Sequence, residues 1–183
     1  MASLLRSALV VFATLSVVTG LAYPALVTGL AQLLPPPTFD QLIGQPFAGA
    51  AYFWSRPSAT APFAYNAAAS SGSNLGPSNP ALHDAVRGRI EALRAADPGN
   101  MAAVPVDLVT TSGSGLDPDI TPAAALYQVA RVAKARNLPE DEVKALVEAH
   151  VESRQLGFVG EARVNVLALN LALDALAGPT VAQ

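Results

Sequence analysis

Residues 7–34 carry no charged side chain, and this stretch constrains the fold more than any other feature of the 183-residue chain. A helix of about 20 apolar residues crosses the hydrocarbon core of a bilayer, so these 28 residues predict a transmembrane helix. Arg6 is the only charged side chain before Asp40. Because positive charge tends to stay on the cytoplasmic side, we predict a cytoplasmic N-terminus and a domain outside.

Two other interpretations of this stretch stay open. Gly20, Leu21 and Ala22 form a small-x-small triplet of the kind found at a signal-peptidase cleavage site. The sequence is therefore compatible with a cleaved signal peptide. The apolar run continues well past that triplet, however, which favours an uncleaved anchor. A buried core helix is the other alternative. We expect Pro24 to kink the helix or end its regular part, and the prolines at 35–37 to stop it, because proline lacks the N–H of the helical hydrogen bond.

Composition excludes several classes of function. The chain holds 11 Lys and Arg against 14 Asp and Glu, and it has no basic run. Binding to a phosphate backbone depends on the counterions that basic residues release, so we expect no nucleic acid partner. The absence of cysteine excludes disulfides, thiolate metal sites and cysteine nucleophiles.

The sequence divides into an anchor at 1–34, a short connector at 35–45 and a loop-rich domain at 46–183. We predict an α+β fold, in which a single N-terminal transmembrane helix precedes a small extracytoplasmic domain with about three to four helices and a few short strands. The aromatic residues at 52–54 are expected to anchor the loops to the core, since aromatic side chains bury large areas. Packing at the membrane interface is the alternative.

Caps and periodicity place the elements of this domain. An N-cap followed by proline, with apolar residues three and four apart, predicts helices at 80–96 and 122–136. A third helix begins at Pro139 with an acidic first turn and is expected to stop near Gly157. Residues 104–109 are predicted to form a short edge strand. The tail at 164–176 fits a short strand that turns into a helix.

Metal and carboxylate chemistry have little support. His83 and His150 lie on different predicted elements, and neither has a partner at a metal-ligand spacing, so we expect surface histidines and no metal site. Asp117 and Asp119 resemble a carboxylate pair, but acidic residues just before a helix commonly serve its N-terminus, and we expect that role here.

Residues 110–116 form a small, glycine-rich loop. The backbone N–H groups of such a loop can cradle an anion ahead of a helix, although the lysine of a P-loop is missing here. A tight turn that needs glycine at positive φ is the alternative. A hydrolase using Ser112 or Ser114 is a further alternative, and it lacks the GxSxG signature.

Four segments in this order, after the N-terminal anchor, resemble the KdpC subunit family of the Kdp potassium-transporting ATPase. The segments are YFWSRPSAT at 52–60, SGSNLGPSNP at 71–80, DLVTTSGSGLDP at 107–118 with TPAAA at 121–125, and LGFVG at 156–160 with RVNVL at 163–167. Together with the anchor they cover nearly the whole chain.

The resemblance implies a non-catalytic accessory subunit in the plasma membrane of a prokaryote, without a tightly bound cofactor. Its implied partners are KdpA, the P-type ATPase KdpB and the small KdpF. The family is also described as a catalytic chaperone that raises the ATP affinity of KdpB. The residues that the resemblance likens to an ATP-related signature of ABC transporters are Ser112, Gly113, Ser114, Gly115 and Gln128.

Topology conflicts with direct ATP contact by these five residues. With a cytoplasmic N-terminus they lie on the side of the membrane opposite to cytoplasmic ATP. We therefore expect the domain to stabilise the complex and to cap or shape the outer mouth of the ion pathway. A secreted or anchored module that binds a small anion is the alternative function.

The chain departs from the family pattern in two places. Members usually carry a longer connector, whereas only residues 35–41 separate Leu34 from the LIGQ string at 42–45. Asp119 stands where the family commonly has histidine, which weakens the argument that a protonatable group is essential at that position.

Overall fold

The computed structural model describes residues 2–33 and 42–177. The chain divides into two compact units, Met1–Thr38 and Phe39–Gln183. Most of the predicted connector, including the prolines at 35–37 that were expected to stop the anchor helix, lies outside the described residues.

The first unit is an apolar helix with one irregular turn. It consists of α1 (Ala2–Val17), a π-helical segment (Val18–Ala22) and α2 (Tyr23–Ala31). Among the described residues, the helical stretch Ser3–Ala31 alone is long and apolar enough to cross a membrane. The π-helical segment ends two residues before Pro24, so the regular α-helix is interrupted as predicted, but the helix continues beyond the proline. A wider turn is a common way to accommodate proline within a helix.

The second unit combines five α-helices and two short 3₁₀ helices, at Ala67–Ala69 and Val106–Leu108, with a three-stranded antiparallel sheet within its described part. The helices are α3 (Pro80–Ala96), α4 (Pro122–Tyr127), α5 (Val129–Arg136), α6 (Glu140–Ala149) and α7 (Val166–Ala177). The strands are β1 (Asp119–Ile120), β2 (Val151–Glu152) and β3 (Arg163–Asn165). β3 lies in the centre, where Val164 pairs with Ile120 of β1 and with Val151 of β2. The predicted α+β class is confirmed; the placement outside the cytoplasm stays a prediction.

The core lies between the sheet and helices α4 to α7. Residues one turn apart on a helix share a face, and in α6 and α7 such pairs are fully buried: Val143 with Val147, and Leu169 with Leu173. Phe53 joins this core with no exposed surface, which confirms that the aromatic segment at 52–54 anchors the preceding loops.

Local signals predicted several boundaries correctly. α3 has the predicted bounds, and the Asn79 side chain accepts a hydrogen bond from Ala81 N–H at 2.9 Å. Thr121 caps α4 by accepting from Ala124 N–H at 3.1 Å. β3 leads directly into α7, as the strand-to-helix interpretation of the tail requires.

Three predicted elements were wrong. Residues 104–109 hold a 3₁₀ turn (Val106–Leu108) and no strand, because the buried Asp107 side chain turns inward to bind Thr121. The helix predicted at 122–136 is divided in two at Gln128, whose side chain binds a distant segment. α6 ends at Ala149, where His150 Nδ1 contacts the carbonyl of Leu146 at 2.8 Å and the chain enters β2.

Candidate functional site

Two buried side-chain amides hold the aromatic segment at 52–54. Gln128 accepts a hydrogen bond from Trp54 N–H at 2.8 Å and donates one to Trp54 C=O at 3.2 Å. Asn170 accepts from Phe53 N–H at 2.8 Å and donates to Phe53 C=O at 3.0 Å. Both amides are 1% exposed. Each amide therefore satisfies both the N–H and the C=O of one residue. Main-chain groups that are removed from water need such partners.

Two arginines of α5 bind carbonyls at the start of this segment and just before it. Arg131 donates to Ala50 C=O at 2.5 Å and to Tyr52 C=O at 3.0 Å, and its guanidinium lies 4.3 Å from the centre of the Trp54 ring. Arg136 donates to Ala51 C=O at 2.8 Å. It also forms a 2.6 Å ion pair with Asp174 of α7. The aromatic segment is thus fixed by charge as well as by the amides.

Arg131 also completes the hydrogen bonding of Gln128. Its Nη2 donates to Gln128 Oε1 at 2.6 Å, while Gln128 Nε2 donates to Ala124 C=O at 3.1 Å. Burial lowers the pKa of Arg131 to about 10, and the charge of Asp97 acts in the opposite direction. A buried guanidinium is unfavourable unless its donors are bound, and here carbonyls and the Gln128 amide supply the acceptors.

The loop at 112–115 is attached to neighbouring loops through its backbone. Ser112 is 3% exposed, and its N–H donates to Pro57 C=O at 3.2 Å. The carbonyl of Ser114 accepts from Ser71 N–H at 3.0 Å, and the carbonyl of Gly115 accepts from Ser58 Oγ at 2.7 Å. Three of the loop's main-chain groups therefore bind other parts of the domain.

The two glycines of this loop have different surroundings. Gly115 has φ +69°, and a Cβ there would lie 2.5 Å from Thr60 Cγ2 and 2.7 Å from Ser71 O, so only glycine fits. Gly113 is exposed and has no atom within 4 Å of an added Cβ. The tight-turn interpretation accounts for Gly115, whereas Gly113 faces open space.

Of the five residues predicted to relate to ATP, four form this one loop and the fifth binds elsewhere. The hydrogen bonds of the Gln128 amide go to Trp54, Ala124 and Arg131, none of which belongs to residues 112–115. Both the carbonyl oxygen and the amide nitrogen of this side chain are engaged within the domain.

The acidic residues before α4 do not serve its N-terminus as predicted. Asp117 Oδ2 pairs with Arg56 at 3.0 Å, and Asp119 Oδ2 pairs with Arg163 at 3.1 Å. Instead, Asp107 accepts from the N–H of Thr121 at 2.7 Å and from its hydroxyl at 3.2 Å. The prediction was wrong because β1 turns Asp119 toward β3, which leaves this role to an acid 14 residues before the cap.

The histidines lie apart from these residues. His83 is exposed on α3, and His150 follows the end of α6. Within residues 2–33 and 42–177, no three His, Asp or Glu side chains are grouped so that they could hold a metal ion.

Sequence patterns did not identify three residues of this site: Asn170, Arg131 and Arg136. A signal existed for the first, because Asn170 is a lone amide within the apolar run LALNLAL, where a polar side chain must find a buried partner. The two arginines look like ordinary solvent-facing residues of a short amphipathic helix. Their role appears only with the tertiary contacts.

Comparisons with known proteins match almost the whole chain. A family model described as "KdpC: K+-transporting ATPase, c chain" matches residues 5–175. A protein of Variovorax paradoxus is 62% identical over 190 residues, covering 97% of this chain and 98% of its own length. One of Polaromonas naphthalenivorans is 61% identical over 189 residues, covering 96% of each. A third, from Methylococcus capsulatus, is 59% identical over 184 residues, covering 93% of this chain and 97% of its own.

Each of these three relatives is named potassium-transporting ATPase KdpC subunit. The resemblance of the four sequence segments is thereby confirmed at the level of the family. With a match that spans both the anchor helix and the domain, the chain belongs to the KdpC family.

Proposed function

We propose that this protein is an accessory subunit that assembles and stabilises an ATP-driven potassium uptake complex in a prokaryotic plasma membrane. Its anchor is Ser3–Ala31, with the N-terminus in the cytoplasm and the domain at 42–177 outside. The partners are KdpA, KdpB and KdpF, as the family resemblance implies. The names of the relatives support potassium transport, and Arg6 at the start of the anchor supports the orientation.

The observation that carries this proposal is that three buried polar side chains are used within the domain itself. Gln128, Asn170 and Arg131 all bind the backbone of residues 50–54. Side chains whose donors and acceptors are bound within the domain fix the shape of the domain. They have few groups left to bind or react with a substrate. A domain built to hold its shape suits a subunit whose task is to bind other subunits, in this case at the outer mouth of the ion pathway.

The relation to ATP is part of the same proposal. We infer that residues 112–115 and Gln128 influence the ATP affinity of KdpB only through the assembled complex. The full hydrogen bonding of Gln128 and the burial of Ser112 support this indirect route. So does the proposed orientation, which separates the loop from cytoplasmic ATP by the membrane.

Co-purification tests the proposal. KdpA, KdpB and KdpF are expressed with this chain bearing an affinity tag, and the detergent-solubilised complex is collected through the tag. We expect all partners in the eluate, and we expect potassium-stimulated ATP hydrolysis to fall at least tenfold when the chain is omitted. An eluate without KdpA and KdpB, or full hydrolysis without the chain, contradicts the proposal.

The same preparation distinguishes a subunit of the complex from an anion-binding module. An anion-binding module is recovered alone and gains thermal stability when phosphate is added, since a ligand that binds the folded state stabilises it. A subunit is recovered with partners and shows no such gain.

A further inference from the structure

A turn at 154–160 exposes three large apolar side chains close together. Leu156 is 85% exposed, Phe158 is 74% exposed and Val159 is 44% exposed. We refer to these three residues as the apolar tip. Scattered apolar residues are normal on a protein surface, but a contiguous group of them marks a site of interaction. The core described above does not use these side chains.

The backbone beneath the apolar tip is held by its own hydrogen bonds. Gln155 and Val159 exchange two N–H···O=C bonds of 2.9 Å, and Phe158 N–H donates to Gln155 C=O at 3.2 Å. Leu156 and Gly157 have φ +54° and +80°, the signs of a type I′ turn, where asparagine and glycine are the usual residues. Leucine is unfavourable both at this positive φ and in contact with water. A contact between Leu156 and a surface outside the domain is therefore the best explanation for this residue.

The charges near the apolar tip argue against an anionic lipid surface as its partner. Residues 155–160 are uncharged, and the nearest charged residues sum to zero: Glu152, Arg154, Glu161 and Arg163. Arg163 is paired with Glu152 at 2.6 Å and with Asp119 at 3.1 Å. Attraction to anionic lipid depends on an excess of basic residues, which this stretch lacks. An uncharged protein pocket is the matching surface.

We propose that the apolar tip inserts into an uncharged, apolar pocket on another subunit of the potassium-transporting complex. This inference rests on the proposed function, because it presumes that the complex exists. Leu156 and Phe158 are the anchors of the contact. Large side chains on a turn that is already ordered lose little conformational freedom on binding, which favours association.

Site-specific cross-linking tests the contact directly. The chain has no cysteine, so Phe158→Cys gives it a single attachment point for a benzophenone maleimide, and the complex with the unaltered chain, treated in the same way, gives the background from the other subunits. We expect ultraviolet light to join this chain to another subunit. Met101→Cys is the control, because Met101 is 92% exposed but lies outside the tip, and its adduct yield should be at least tenfold lower. Adducts with lipid alone, adducts between two copies of the chain, or no adduct all overturn the proposal.

Substitution provides an independent measurement. Leu156→Asn keeps a residue that tolerates positive φ but removes the apolar anchor. Combined with Phe158→Ser, it should lower the amount of partner subunits recovered with the chain at least tenfold, while the melting temperature of the purified full-length chain does not fall. Met101→Ser should change neither quantity.

The outcomes separate the two proposals. If the unaltered chain recovers no partners, the proposed function fails. If the unaltered chain recovers them and the tip variant recovers them equally well, the proposed function stands and the inference about the apolar tip is wrong.

Discussion

Gln128 and Trp54 are joined by two hydrogen bonds of opposite direction, 2.8 Å from Trp54 N–H to Oε1 and 3.2 Å from Nε2 to Trp54 C=O. Asn170 repeats this arrangement at Phe53. The two amides supply the main-chain partners that a neighbouring strand would otherwise supply. The junction between α4 and α5 and the distant helix α7 thereby hold one irregular segment in place.

Replacing Gln128 by alanine should destabilise the domain by about 3 kcal/mol, because it leaves the partly buried N–H and C=O of Trp54 without their side-chain partner. Urea unfolding of the full-length chain in detergent measures this. Trp54 is the only tryptophan, so its fluorescence reports on the contact itself. Gln155→Ala makes the same change at an exposed position and should stay within about 0.5 kcal/mol of the unaltered chain. A loss at Gln128 no larger than that of this control would contradict the structural role.

Combining Gln128→Ala with Asn170→Ala should cost less than the sum of the two single losses, by about 1 kcal/mol. Both amides hold the same segment, so the second substitution removes a contact that the first has already weakened. Unfolding of the two single variants and the double variant gives the coupling free energy. Strict additivity would show that Phe53 and Trp54 are held independently.

The glycines of the 112–115 loop offer a matched pair. Gly115→Ala should destabilise the domain by at least about 2 kcal/mol, because alanine is strained at positive φ and its Cβ would clash with Thr60 and Ser71. The Cβ added by Gly113→Ala has no neighbouring atom within 4 Å, so this substitution should change stability by less than about 0.5 kcal/mol. The unfolding free energies of the two variants check this. Equal losses would contradict the difference in surroundings.

The same pair tests the indirect route to ATP. If no nucleotide touches this loop, Gly113→Ala leaves the KM for ATP of the assembled complex unchanged. A cradle of backbone N–H groups would be disturbed by the added methyl group. A severalfold rise in KM with this variant, at unchanged stability and unchanged recovery of the partner subunits, therefore indicates direct contact.

Asp119 should make stability depend on pH. Its pKa is raised above the ordinary 3.8, mainly by burial. The negative charge of Asp117 raises this pKa further, whereas the positive charge of Arg163 lowers it. A carboxyl group with a higher pKa in the folded chain binds protons more tightly there than in the unfolded chain. Its stabilisation is therefore complete below the unfolded pKa and is lost as pH rises through the folded pKa.

Asp119→Asn cannot ionise, so it should flatten the decline in melting temperature that begins above about pH 4. Melting curves of the full-length chain between pH 3.5 and 7 measure the effect. Glu91→Gln removes an exposed carboxylate on α3 and should follow the unaltered chain. A variant at Asp119 whose curve keeps the original slope would show that another group is responsible.

Leu156→Gly should raise the stability of the isolated chain by about 1 kcal/mol, because glycine adopts φ +54° without the penalty that leucine incurs. Thermal melting of the purified full-length chain checks the change. Gly160 also has positive φ, at +75°, so Gly160→Ala should have the opposite sign. A loss of stability at Leu156→Gly would mean that the leucine side chain stabilises the domain itself.

Elements set by neighbouring residues were predictable from the sequence. Asn79 and Thr121 cap their helices through N–H groups two and three residues away, so the signal and the contact lie together. The anchor helix follows from composition alone, since an uncharged run of this length has few other stable environments.

Elements set by distant contacts were not predictable. The break at Gln128 depends on Trp54, which lies 74 residues earlier, and the 3₁₀ turn around Asp107 depends on Thr121. Periodicity detects neither, because it registers only which residues along one segment are apolar. The candidate loop was visible as a glycine-rich string, but which of its glycines is structural required the tertiary contacts.

The proposed function is tested most directly by determining on which side of the membrane the domain lies. Ser114 is exposed, and Ser114→Cys gives this cysteine-free chain a single thiol for a membrane-impermeant reagent. Ser3→Cys, at the other end of the anchor, is the control for the cytoplasmic side. We predict that intact cells label the cysteine at position 114 and protect the one at position 3. Protection at 114 that is lost only on permeabilisation would place the domain in the cytoplasm and contradict the account.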